Sequence, residues 1–94
     1  MIQVLREKRE LILQLATKHG AYNIRVFGSV ARGDFNESSD VDFLVELEPG
    51  RSLFDLGGLL MDLQDLLERN VDIGTTKMLK ESIRDQVLKE AIPL

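Results

Sequence analysis

Asp40 and Asp42 stand two residues apart in DVDFLVEL, where the alternation of apolar and polar residues predicts a strand over 40–47. On a strand, a spacing of two puts both carboxylates on one face, while Val41, Phe43 and Val45 turn the other way, toward a core. Asp72 repeats the arrangement between Val71 and Ile73, in a short strand predicted over 71–75. If the two strands are neighbours, three carboxylates converge. Acids crowded in this way either take up protons or are neutralised by a cation. Their hard oxygen donors suit Mg²⁺, which keeps several waters and often shares its shell with a substrate's phosphates. Such ions can clamp the attacking and leaving oxygens of a phosphoryl or nucleotidyl transfer. The third carboxylate can act as base on the attacking hydroxyl.

Gly28 and Ser29 supply a second chemical element. They follow a predicted strand over 22–27 and open a short helical turn, SVAR. Glycine lets a phosphate approach the backbone with no Cβ in the way, and the free N–H groups of a turn can hold an anion. The Ser29 hydroxyl can add a donor. Arg32, three residues on, could reach a triphosphate or pair with a nearby acid. Ser39 precedes the acids; it reads first as a hydrogen-bonding loop residue and second as a nucleotide contact.

Six elements must position these groups. Val4, Leu5, Leu11, Ile12 and Leu15 recur at helical spacing and predict a helix over 3–18. Lys18 and His19 suit its C-terminus, and Gly20 the left-handed cap after it. In the strand over 22–27, Ile24 and Val26 share a face, with Tyr22 and Arg25 offset from it. Residues 33–39, GDFNESS, read as a polar loop. Ser52 and Asp55 form a capping-box pattern ahead of a leucine-rich helix that runs to about Arg69. Gly57 and Gly58 interrupt that helix, which points to a close backbone approach or to a loop before a shorter helix. A last helix is predicted over 78–91, with Leu79, Ile83, Val87, Leu88 and Ala91 inward. The order helix, strand, strand, helix, strand, helix predicts one small α+β domain over 1–94, a three- or four-stranded mixed sheet packed on helices.

Composition fits that frame. The chain has 94 residues, 44% of them hydrophobic and 30% charged, with a net charge of −4. It has no cysteine and one histidine, which excludes a disulfide framework and thiolate or histidine-rich metal sites. No apolar run approaches the ~20 residues of a membrane span. MIQVLREKRE carries charge where a signal peptide needs an apolar stretch, so a cytoplasmic setting is expected. The acidic balance argues against direct nucleic-acid binding, which depends on Lys and Arg neutralising phosphates.

Read together, the chain shows Gly28-Ser29, ten residues, then Asp40-Val41-Asp42. This resembles the signature of the DNA polymerase beta-like nucleotidyltransferase superfamily. The wider string GSVARGDFNESSDVDFLVEL resembles the minimal nucleotidyltransferases, small prokaryotic members of that superfamily. The resemblance extends over nearly the whole chain and implies the polymerase beta-like fold. It also implies transfer of AMP from ATP, with Mg²⁺ held by Asp40, Asp42 and Asp72, and Asp72 matching the family's third acid. Gly28, Ser29, Arg32 and Ser39 would contact the nucleotide. The family further implies an antitoxin role, in which the acceptor is a hydroxyl, a tyrosine in characterised pairs, of a HEPN-domain RNase toxin bound as a hetero-oligomer. Two alternatives stand beside this: a non-catalytic antitoxin that neutralises its partner by binding alone, and a nucleotidyltransferase acting on a small molecule.

Overall fold

The computed structural model describes residues 1–94. Where the sequence predicts one helix over 3–18, there are two, α1 (Ile2–Glu7) and α2 (Arg9–Lys18). Lys8 separates them at φ −96° and ψ 11°, outside the helical well. The buried stripe continues through the break but is narrower than predicted: Leu5, Ile12 and Ala16 are buried, whereas Val4 and Leu11 are exposed. Gly20, at φ +74°, closes α2 in the left-handed conformation its type allows.

Strand β1 (Ala21–Phe27) runs antiparallel to β2 (Val41–Leu47), with Ala21 opposite Leu47 and Phe27 opposite Asp42. The ladder slips between Tyr22 and Arg25, where Asn23 takes φ +54°. This bulge places Ala21, Ile24 and Val26 all on the core side and leaves Tyr22 outside. A single helical turn, α3 (Ser29–Arg32), opens the connection from β1 to β2.

Helix α4 (Leu53–Leu67) begins with the anticipated capping box: Ser52 Oγ accepts from Phe54 N–H, and Asp55 accepts from Ser52 N–H. It ends two residues before the predicted Arg69, because Glu68 turns into the left-handed region at φ +54°. Both Gly57 and Gly58 lie inside α4, so no loop intervenes. Gly58 marks the close approach: a Cβ there would meet the His19 ring at 2.7 Å. His19 is a helix-end residue held by Asp62 of α4, 2.7 Å away.

From α4 the chain enters β3 (Val71–Thr75), parallel to β2. A 3-10 turn (Thr76–Met78) leads to α5 (Glu81–Glu90), shorter than the helix predicted over 78–91. A two-residue strand the sequence pattern did not reveal, β4 (Ile92–Pro93), pairs with the free edge of β1. The mixed sheet therefore has the order β3-β2-β1-β4, an α+β architecture as expected.

The main core cluster lies on one face of this sheet, and Leu44 of β2 is fully buried on the other. Val26, Val41, Phe43, Val45 and Ile73 meet Leu5, Ile12, Ala16, Leu56, Leu59 and Leu63. Burial of each such large aliphatic side chain contributes about 1.5–3 kcal/mol. The expected inward stripe of α5 is not realised. None of its residues is buried, and Ile83 and Leu88 are exposed. Helices α1 to α4 already supply every helical side chain of the core, which leaves α5 no place in it.

Candidate functional site

Strand β2 starts at Val41, so Asp40 is the residue just before the strand and not its first residue. Asp42 is within it. Its neighbours Val41 and Phe43 are fully buried, which fixes the strand's phase and turns Asp42 to the opposite face. Val71 and Ile73 do the same for Asp72 on β3. The parallel register then sets Asp42 directly beside Asp72, on strands roughly 4.8 Å apart. On its other side Asp42 faces Phe27, the last residue of β1. The next residue, Gly28, brings the turn into Asp42's reach.

Gly28 takes φ +68°, and a Cβ at this position would run into the Asp42 carboxylate. Only glycine allows the turn and the acid to come this close. Its N–H donates to Glu90 Oε1 at 2.8 Å. Arg32 Nη1 donates to the same oxygen at 3.2 Å, and Arg32 Nε to Asp34 Oδ2 at 3.3 Å. Arg32 thus pairs with acids here. The Ser29 carbonyl accepts from Gly33 and Asp34, closing the turn.

Burial pushes the Asp42 carboxyl up to about 6, with further upward pressure from the Asp72 and Asp40 charges and then Glu90, while Arg32 opposes it. The acids therefore sense one another. They are not gathered into a finished three-donor cage. Mg²⁺ commonly takes one or two carboxylates and completes its shell with water and substrate phosphates. The donor set of Asp42 and Asp72 across the strand pair, with exposed Asp40 at its edge, fits such an ion.

Ser39 is placed differently. Its hydroxyl accepts from Asn36 N–H at 3.1 Å, the loop role read from the sequence. It lines a wholly polar hollow with Glu37, Gln64, Glu68, Arg69 and Asn70, and none of the other candidate site residues borders that hollow. Arg69 secures the loop that leads to Asp40. It donates to the Asn36 and Glu37 carbonyls and lies over the Phe35 ring, 4.7 Å from its centroid.

Two features were missed from sequence. Glu90, on the predicted last helix, reads as an ordinary solvated charge, and nothing local marks its contact with Gly28 across 62 positions. The second is a polar network farther along the same face of β2. Arg25 Nη2 donates to Glu46 at 3.2 Å and to Thr76 Oγ1 at 3.4 Å, and the Thr76 hydroxyl donates to Glu46.

The nucleotidyltransferase domain family matches residues 8–94. A Methanocaldococcus jannaschii protein, provisionally named a protein adenylyltransferase, is 36% identical over 94% of this chain and 95% of its own. The protein adenylyltransferase MntA of Thermococcus cleftensis is 39% identical over 84% of this chain and 80% of its own. A solved structure described provisionally as a minimal nucleotidyltransferase superposes with a TM-score of 0.88 at 50% identity, covering 98% of this chain and 94% of that one.

Proposed function

This chain belongs to the nucleotidyltransferase domain family, and from that premise we propose that it is an antitoxin that transfers AMP from ATP to a hydroxyl of a toxin protein. The observation that carries the reading is the juxtaposition of the Gly28 turn with the Asp42–Asp72 register pair. Relatives named protein adenylyltransferase support the choice of a protein acceptor. The finer proposal is a tyrosine on a HEPN-domain RNase toxin, held in a hetero-oligomer. A cytoplasmic setting accords with ATP as substrate.

In this mechanism the Gly28 N–H, the Ser29 hydroxyl and Arg32 hold the β- and γ-phosphates. Ser39 is a secondary nucleotide contact at the loop. Asp40, Asp42 and Asp72 would hold Mg²⁺, which supplies charge stabilisation to the phosphate oxygens. Asp72, exposed at the open side of the pair, accepts the proton of the acceptor hydroxyl. The acceptor oxygen then bonds to the α-phosphorus, the α–β phosphoanhydride bond breaks, and pyrophosphate leaves with the electron pair. In this reading the partner protein brings the acceptor hydroxyl to the site.

The test is the intact mass of a purified HEPN partner after incubation with this chain, ATP and Mg²⁺. Gain of one or more AMP units is expected, with none from the Asp40→Asn, Asp42→Asn double variant. An unmodified but still inhibited partner would instead establish neutralisation by binding alone.

A further inference from the structure

We infer that Glu90 is a built-in competitor for nucleotide phosphate, its carboxylate occupying the Gly28–Arg32 cradle that ATP must enter. The inference rests on the reading of Gly28 and Arg32 as phosphate contacts. One oxygen, Glu90 Oε1, takes both the Gly28 N–H at 2.8 Å and the Arg32 guanidinium at 3.2 Å. A backbone N–H and a guanidinium on one anionic oxygen are the donors a phosphate oxygen would receive there. The Gly28 N–H has a single hydrogen, already directed at the carboxylate, and a phosphate drawn to the same guanidinium would meet that carboxylate's like charge.

The surroundings favour exchange over a fixed structural contact. Glu90 adds a fourth acid near Asp40, Asp42 and Asp72, and Arg32 also holds Asp34. The element that carries Glu90 is lightly anchored. Helix α5 has no buried residue and is flanked by extended residues, Lys80 and Ala91. Such an element opens at small cost, and a rotation of the Glu90 side chain alone frees both donors. The tie to the core is made beyond it, where Ile92 and Pro93 pair with β1 and Leu94 N–H donates to Ile24. Withdrawal of Glu90 therefore leaves the sheet intact. The consequence is a nucleotide affinity lower than the cradle's own donors would give.

The experiment is calorimetric titration of the full chain with ATP and Mg²⁺, comparing the native protein with Glu90→Gln and Glu90→Ala. Glutamine keeps the acceptor oxygen and loses the charge; alanine loses both. Each variant is expected to bind ATP about ten-fold more tightly, the scale of one charge-assisted hydrogen bond. Inorganic triphosphate as probe should show the same ranking. If the native chain binds ATP and both variants bind equally or more weakly, Glu90 is a fixed brace of the turn and the inference is overturned. If none of the three binds ATP, the nucleotide reading itself fails, and the inference with it. Thermal melts confirm that the variants fold, and should alanine disturb the helix end, the isosteric glutamine decides.

Discussion

Asp42 and Asp72 face each other across the parallel β2–β3 pair, two acids at one register position. Like charges so placed destabilise a sheet, and burial adds to the effect on Asp42, whose carboxyl rises from 3.8 to about 6. Between those values the folded chain keeps a proton that the unfolded chain has released. Stability therefore falls as pH rises from about 4 to about 6, and the whole loss is present above that window. Asp42→Asn removes it. Urea unfolding should show the variant more stable by about 1–2 kcal/mol at pH 7.5, a range discounted for solvent screening, and unchanged near pH 4. Equal stability at both pH values would contradict the strained carboxylate.

Asp72 is the exposed partner of that pair, so its charge can be removed without opening the core. Asp72→Asn should fold and melt no lower than the native chain. If Asp72 takes the acceptor proton, AMP transfer to the partner should fall by roughly 10²–10⁴-fold. The partner's mass over time gives the rate, and a transfer rate near native would remove Asp72 from the chemistry.

Gly28→Ala tests the contact between turn and acid. Alanine must adopt φ +68° and place its Cβ against the Asp42 carboxylate. A loss of about 1–3 kcal/mol in stability is expected, together with loss of ATP binding. Denaturant midpoint and calorimetry read the two effects separately.

The adjacent glycines of α4 should respond differently to alanine. Nothing lies within 4 Å of a Cβ at Gly57, so Gly57→Ala should stabilise by about 0.5–1 kcal/mol through helix propensity. At Gly58 the added methyl meets the His19 ring, which its bond to Asp62 holds in place. Gly58→Ala should therefore yield no gain or a net loss. Melting temperatures of the two variants, measured side by side, decide the matter.

The parts legible in the sequence are those governed by local periodicity. The alternation in DVDFLVEL gave Asp42 its face, and the Ser52–Asp55 pattern gave α4 its start. What stayed hidden depends on distant partners. Ile92 and Pro93 are a strand only because the edge of β1 is there to pair with them. The stripe Ile83, Val87 and Leu88 has helical spacing, but spacing cannot show that helices α1 to α4 supply the helical side chains of the core. Asp40 fell outside its strand because pairing with β1 and β3 begins only at Asp42 and Val41, respectively. Glu90 carries no local sign of Gly28. The acids could be found from the sequence; the internal anion beside them could not.

The bulge at Asn23 divides β1 into two stretches with a shared phase. Counting around it, Ala21, Ile24 and Val26 alternate with Tyr22 and Arg25 as though Asn23 were not there. Length is thus negotiable at this one place in the sheet. Lineages of this fold can gain or lose the residue without turning any side chain over, whereas a one-residue change within Val41–Leu47 would carry Asp42 into the core and bring Phe43 out. Alignments of related chains should place their gaps accordingly, at the bulge and never beside the acids.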